Sequence, residues 1–232
     1  FGDDHFRFET FSRKYIHKFD WIITTDHLSV SRYKKLGKSN IILSQWAAPS
    51  KIALEPIKNL SKNKSSFDVI FIGQKSRYRE WFVQHVQRSG IKIDCFGDGW
   101  ENGRVAYKEM KTLFKSAKIS LNISNSLSHD VRYIFSKPSN TISYLKLSLM
   151  KGSKINSQIK ARNFEIPAFG GFELTDYVPF LEEYFDIGHE VSCYSNVDEC
   201  ISLLKHWLAY DEEREFIRKR GEKKALNKNL YE

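Results

Sequence analysis

The sequence predicts an α/β protein: one nearly complete doubly wound, Rossmann-like domain with a parallel sheet, preceded by the tail of a second α/β domain. Three observations carry this. Apolar runs rich in β-branched residues recur at strand length, as in "DWIITTD" (20–26) and "FDVIFIG" (67–73), and continuous runs of this kind suit strands buried on both faces of a parallel sheet. Amphipathic stretches of helical length separate them, and that alternation implies parallel strands joined by right-handed crossovers. One polar, basic stretch, "EPIKNLSKNKSS" (55–66), breaks the alternation and reads as a linker.

In chain order, "ETFSRKYIHK" (9–18) is expected to form a short helix with Phe11, Tyr15 and Ile16 inward. A strand follows at 20–26, then a helix at 27–37 closed by Gly37, then a strand, "NIILSQW" (40–46). Residues 1–57 are thus the end of an N-terminal domain, 58–66 the linker, and 67–232 the C-terminal domain. The latter opens with the strand 67–73 and a helix at 77–90, which offers Trp81, Phe82, His85 and Val86 for packing. Strand 91–97, helix 105–118 and strand 119–124 complete the first half. Residues 125–156 carry turn signals at Lys137-Pro138-Ser139-Asn140 and read as an insertion or mobile loop. Beyond them stand the strand "FELT" (172–175), a short helix at 179–185, a strand at 190–195, a helix at 198–210 and a charged helix from Asp211 to about Asn229.

Composition narrows the function. Hydrophobic residues make up 41% of the 232 and aromatic residues 14%, enough for a core, so a disordered chain is excluded. No run of eighteen apolar residues is present, so no transmembrane helix is expected, and no signal peptide is seen. The opening "FGDDHFRFE" lacks an initiator Met and reads as the middle of a domain, so the chain is expected to be a piece of a longer protein. Cys95, Cys193 and Cys200 are scattered, which suits free thiols in a reducing, cytoplasmic compartment. The formal charge of +9 favours anionic partners: nucleotides, phosphorylated sugars, nucleic acid or peripheral contact with an anionic membrane face. Nucleic acid ranks last, because no aromatic stacking platform is interleaved with the basic residues.

Four stretches carry candidate chemistry. In "QIKARNFEIPAFGGFELTD" (158–176), proline is best tolerated in the first turn of a helix, so Pro167 sets a helix start near Asn163, a good N-cap. The helix N–H groups with Lys160 and Arg162 would attract an anion, and Gly170-Gly171 would let backbone approach a ligand. That makes a diphosphate site, with Glu165 on a ribose hydroxyl; the alternative is an Arg162–Glu165 helix pair and an ordinary glycine stop. In "FIGQKSRYRE" (71–80), a strand ends at Gly73 and Lys75, Arg77 and Arg79 follow, placed either for phosphate across the same crevice or as a solvated loop. No GxxxxGK[ST] is present. "FGDGWENG" (96–103) lacks the dinucleotide fingerprint and reads as a glycine-rich turn. In "GDDHFRFE" (2–9), Asp3, Asp4 and His5 offer a general base, or else caps and a surface turn. No second cluster joins them to make a metal site.

Taken together, "QIKARNFEIPAFGGFELTDYVPFLEEYFDIGHEVSCYSNVDECISLLKHWL" and the tail "EEREFIRKRG" resemble the C-terminal domain of CgeB-like, spore-maturation-protein-type GT-B glycosyltransferases. The matching residues include Lys160, Arg162, Phe164, Glu165, Gly170, Gly171, Thr175, Asp176, Leu181, Glu182, Glu183, Phe185, Gly188, Glu190, Tyr194 and Arg214. The front stretch from "DDHFRFETF" to "QWAAPS" is similar to the end of that family's N-terminal domain. The resemblance implies a GT-B enzyme that holds a nucleotide-sugar donor and transfers its sugar to a glycan, polysaccharide or protein acceptor without bound metal. Lys160 and Arg162 would contact the diphosphate, Glu165 the ribose, and the Gly170–Thr175 backbone the nucleotide wall. Gly73 and Arg79 would form the facing loop, with Asp3, Asp4 and His5 at the acceptor lip. Glu165 and Glu173 also have the E-x7-E spacing of many retaining glycosyltransferases. If Glu165 is the second Glu of such a motif, however, the first position falls on Ser157, so the match is read as accidental. That missing Glu leaves a second implication open, a degenerate GT-B domain that binds nucleotide or a partner without turnover.

Overall fold

The computed structural model describes residues 4–57, 67–125, 128–149 and 158–231. The chain divides into two compact units: the described residues of Phe1–Trp46 and Leu127–Ile159, and those of Ala47–Ser126 and Lys160–Glu232.

In the first unit the chain is helical from α1 (Asp4–Arg7) through a π-helical turn (Phe8–Ser12), α2 (Arg13–Tyr15) and a 3-10 turn (Ile16–Lys18). Phe8 and Ile16 pack with Ile22 and Tyr33 in its small core. Phe11 and Tyr15, expected inward, are exposed, Phe11 at 51%. The π-helical turn shifts the buried stripe to Phe8, Ser12 and Ile16, a spacing of four. Strand β1 (Ile22–Thr24) pairs in parallel with β2 (Ile41–Leu43), and α3 (His27–Lys35) joins them. Asp26 caps α3 by accepting from the Leu28 N–H, and Gly37 ends it at φ 80°.

The second unit begins with β3 (Ala48–Pro49) and α4 (Ser50–Leu54). Residues 47–57 therefore pack with the larger unit, whereas the sequence grouped them with 1–46. The stretch 58–66, expected to be a linker, lies outside the described residues. The core elements are then β4 (Phe67–Ile72), α5 (Arg77–Arg88), β5 (Ile93–Phe96), α6 (Tyr107–Ser116) and β6 (Ala117–Asn122). Within the expected insertion, α7 (Val131–Ile134) and α8 (Pro138–Leu149) belong to the first unit, whereas the sequence placed them in the C-terminal domain. The Lys137–Asn140 turn signal is a helix start, with Pro138 as first residue, where its missing N–H costs nothing. After α9 (Ala161–Ala168) come β7 (Glu173–Asp176), a 3-10 turn (Leu181–Glu183), β8 (Ser192–Tyr194), α10 (Val197–Ala209), α11 (Asp211–Lys228) and β9 (Leu230–Tyr231). The last pairs with β3.

Five strands form one all-parallel sheet in the order β5-β4-β6-β7-β8. In β4 the run Val69-Ile70-Phe71-Ile72 is buried on both faces, as its unbroken hydrophobicity requires. The chain leaves β4 outward to β5, then returns past β4 to β6. Right-handed crossovers then put α5 on one face and α6 and α9 on the other. That reversal opens a crevice beyond the carboxyl ends of β4 and β6, where open α/β sheets bind ligands.

Candidate active site

A cavity of about 320 Å³ lies at this reversal, lined by the ends of β4 and β6, the first turn of α9 and the start of α6. Its floor is built by close backbone approach. A Cβ at Gly97, where φ is 123°, would sit 2.3 Å from the Gly73 carbonyl oxygen. The Trp100 indole N–H donates to that same oxygen at 3.0 Å, and the Lys75 N–H donates to Asp98 O at 2.8 Å. The glycine-rich 96–103 turn is thus a buttress for the loop after β4.

Arg79 draws the two strand ends together. Its Nε and Nη2 donate to Ile123 O at 3.0 and 2.7 Å, and Nη2 also reaches Ser124 O at 3.2 Å. Nη1 donates to Gln74 O at 2.9 Å, and the guanidinium lies over the Phe71 ring. Burial lowers its pKa, and the charge of Asp176 opposes that. Lys160 Nζ donates to Ser124 O at 3.1 Å, which brings a second cation to the same carbonyl.

Lys160 is the N-cap of α9, and its donor-only side chain cannot accept from the helix's first N–H groups. The Asn163 N–H donates instead to Lys160 O at 3.0 Å, while Lys160, Ala161 and Arg162 line the cavity, so the positive end of a helix stands there beside two basic side chains. Asn163, expected as the N-cap, is instead the third helical residue; its Oδ1 accepts from the Lys160 N–H at 3.1 Å. Pro167 is near the helix end, where its absent N–H forgoes only the bond to Asn163 O. The helix ends at Ala168, and the chain turns away two residues beyond it through Gly170 at φ 76°.

Arg162, with its side chain one-quarter exposed, donates Nη1 to Glu165 Oε2 and lies 5.7 Å over the Phe114 ring. Glu165 is 2% exposed, and its Oε1 accepts from the Tyr107 hydroxyl. Burial, followed by the bond to Glu165, raises the Tyr107 pKa, so the phenol keeps its proton. Beneath this layer Asn122 and Asn163 each donate Nδ2 to both Glu173 Oε1 and Thr175 Oγ1, at 3.1 to 3.2 Å. Burial pushes the Glu173 carboxyl well above its ordinary range, more than the two amide bonds restrain it.

The structure thus gathers Gly73, Arg79, Lys160, Arg162 and Glu165 on one cavity, and it corrects other expectations. Gly170 and Gly171 are at the opposite end of α9. Gly170 lies by Glu222 and Lys115, and Gly171 lies against Ile166 and Ser120, where a Cβ would meet both at 3.0 Å. Thr175 is fully buried in the asparagine network below the cavity. Lys75 does not line the cavity; it pairs with Glu80 at 2.9 Å. Asp4 is 2% exposed, and its Oδ1 accepts from Ser12 and Tyr33, both at 2.6 Å, so it braces the small unit instead of facing solvent as a base. Asp3 and the His5 side chain lie outside the described residues. Sequence reasoning missed Tyr107 and Asn122 and gave Asn163 a different role; no local pattern marks the first two, because only the packing of β6 and α6 against α9 brings them to Glu165 and Asn163. Among the described residues no three His, Cys, Asp or Glu side chains gather to hold a metal ion. No described helix is long and apolar enough to cross a membrane.

Residues 77–232 match the model of a family described as glycosyl transferase-like. Among solved structures, TarM of S. aureus is 9% identical with a TM-score of 0.61, covering 94% of this chain and 43% of its own. The pneumococcal O-GlcNAc transferase GtfA, solved with UDP and GlcNAc, is 12% identical with a TM-score of 0.57, covering 95% of this chain and 44% of its own. Sucrose-phosphate synthase of Thermosynechococcus elongatus is 9% identical with a TM-score of 0.59, covering 90% and 54%. The chain spans about half the length of these proteins, and the likeness shows a shared GT-B fold. No curated protein sequence matches it significantly.

Proposed function

From the chain's membership of the glycosyl transferase-like family, we propose that its cavity holds the nucleoside diphosphate part of a nucleotide-sugar donor, whose sugar passes to a glycan, polysaccharide or protein acceptor. The supporting observation is the first turn of α9, where Lys160, Arg162 and the positive end of the helix meet on the cavity. In the transfer the bond between the sugar's anomeric carbon and the diphosphate oxygen breaks, a bond to an acceptor hydroxyl oxygen forms, and that hydroxyl's proton is released with the diphosphate. Charge grows on the departing diphosphate, and fixed donors at that point lower the barrier. Lys160, Arg162 and the helix dipole supply the balancing positive charge in this reading without a resident metal.

Glu165 faces the same cavity and is the acceptor we assign to a ribose hydroxyl. GtfA was solved with UDP, which makes UDP the first diphosphate to try. A second reading, a domain that binds nucleotide without turnover, is favoured by Ser157 standing where an E-x7-E motif would carry its first Glu. Hydrolysis of nucleotide sugars by the full-length protein separates the two. We expect slow release of nucleoside diphosphate that falls about 10²–10³-fold in Lys160→Ala. Binding with no release in either protein would favour the second reading.

A further inference from the structure

Tyr107 opens α6 on the rim of the cavity and is 43% exposed. Its ring stands edge-on to Phe169, with centroids 6.4 Å apart at 82°. Its hydroxyl donates to Glu165 Oε1, and Arg162 donates to Oε2. An ionised carboxylate offers about two acceptor positions on each oxygen. One donor already on each leaves each oxygen able to accept once more, on a residue that lines the cavity. That pair matches a vicinal diol, whose two hydroxyls donate in parallel. A carboxylate free to turn about its last bond would present the pair only part of the time; here two donors on different elements hold its plane.

We infer that Tyr107 is a positioning residue. It holds the Glu165 carboxylate in the orientation that reads the 2′,3′-diol of a ribose, and so sets the preference of this site for ribonucleotides. This rests on the donor-site reading above and adds a residue and a selectivity to it.

The test is calorimetric titration of the intact protein with UDP, GDP and their 2′,3′-dideoxy forms, for wild type, Tyr107→Phe and Glu165→Gln. Hydrogen bonds to a charged group lead us to expect wild type to prefer the ribose form by at least about 10-fold. Tyr107→Phe should cut that preference by roughly 3–10-fold and change the dideoxy affinity by less than about 2-fold. Glu165→Gln should remove most of the preference, which keeps the idea open to refutation even if Tyr107→Phe folds poorly. An unchanged preference in either variant, or equal weakening of both sugar forms in Tyr107→Phe, overturns the inference. So does a wild type indifferent to the diol, although diphosphate binding would then still stand. A wild type that binds none of the four ligands removes the donor-site reading, and this inference with it.

Discussion

Replacing Glu173 by Gln should make the protein increasingly more stable than wild type as pH rises, although it removes a carboxyl group that accepts two hydrogen bonds. Glu173 is fully buried below α9; Oε1 takes both asparagine amides, and Oε2 has no hydrogen-bond partner. Its pKa in the folded protein lies well above the ordinary 4.5. The folded state therefore keeps a proton that the unfolded chain releases. Between the two pKa values the folded state binds more protons, so stability falls as pH rises, by about 1.4 kcal/mol per pH unit for one group. Gln has the shape of the protonated acid and does not titrate, so this loss disappears. Urea unfolding of both proteins from about pH 5 to about pH 8 measures it. The stability difference, variant minus wild type, should grow by up to about 1.4 kcal/mol per unit above the ordinary glutamate pKa and level off beyond the folded one. Parallel curves across that range, or a variant that loses ground as pH rises, would refute the reasoning.

Gly221→Ala should destabilise, although the same change in an open helix gains about 1 kcal/mol. The new Cβ would lie 2.2 Å from the Glu190 carbonyl oxygen, and overpacking against backbone costs roughly 1–3 kcal/mol, so a gain in urea midpoint would contradict it. Lys111 Nζ donates to the carbonyls of Ile52, Ala53 and Glu55 at 2.6 to 2.8 Å, closing the end of α4. Lys111→Met leaves those acceptors without their donor, at about 1–3 kcal/mol, and should speed proteolytic cleavage near residue 55. Unchanged cleavage there, followed by mass spectrometry, would show that the clamp carries no stability.

The parallel sheet was legible because its strands are buried on both faces. The apolar run at 69–72 is continuous, as such a strand requires, whereas 119–124 alternates apolar residues with Ser120, Asn122 and Ser124, which are buried as well. The lining of the cavity was legible where charge and a helix start share one stretch, at Lys160, Arg162 and Glu165, and the alternative reading of that stretch, an Arg162–Glu165 pair followed by a glycine stop, describes the contacts the side chains make. It was misread where a local rule has two outcomes. A proline suits the first turn, yet an eight-residue helix loses only one bond to Pro167 near its end, so Asn163 moved from cap to interior. Gly170 and Gly171 were read as ligand-facing because glycines permit close approach. The surface they approach is protein: Ser120, Ile166 and the side chains of Lys115 and Glu222. Arg79 was rightly placed beside the cavity, but most of its donors serve Gln74, Ile123 and Ser124, which no local spacing could reveal. Phe11 and Tyr15 came out exposed because a π-helical turn, invisible in the pattern, changed the phase of the buried face.

The central claim is that a diphosphate lies against the first turn of α9, held by Lys160 and Arg162. Titration of UDP and GDP into wild type, Arg162→Ala and Lys92→Ala tests it most directly. Lys92, its side chain 76% exposed, controls for loss of one positive charge. Wild type and Lys92→Ala should bind at least one of the two alike. Arg162→Ala should weaken that binding by roughly 10–100-fold, the worth of a charge-assisted hydrogen bond. An Arg162→Ala protein that binds as tightly as wild type would contradict the account.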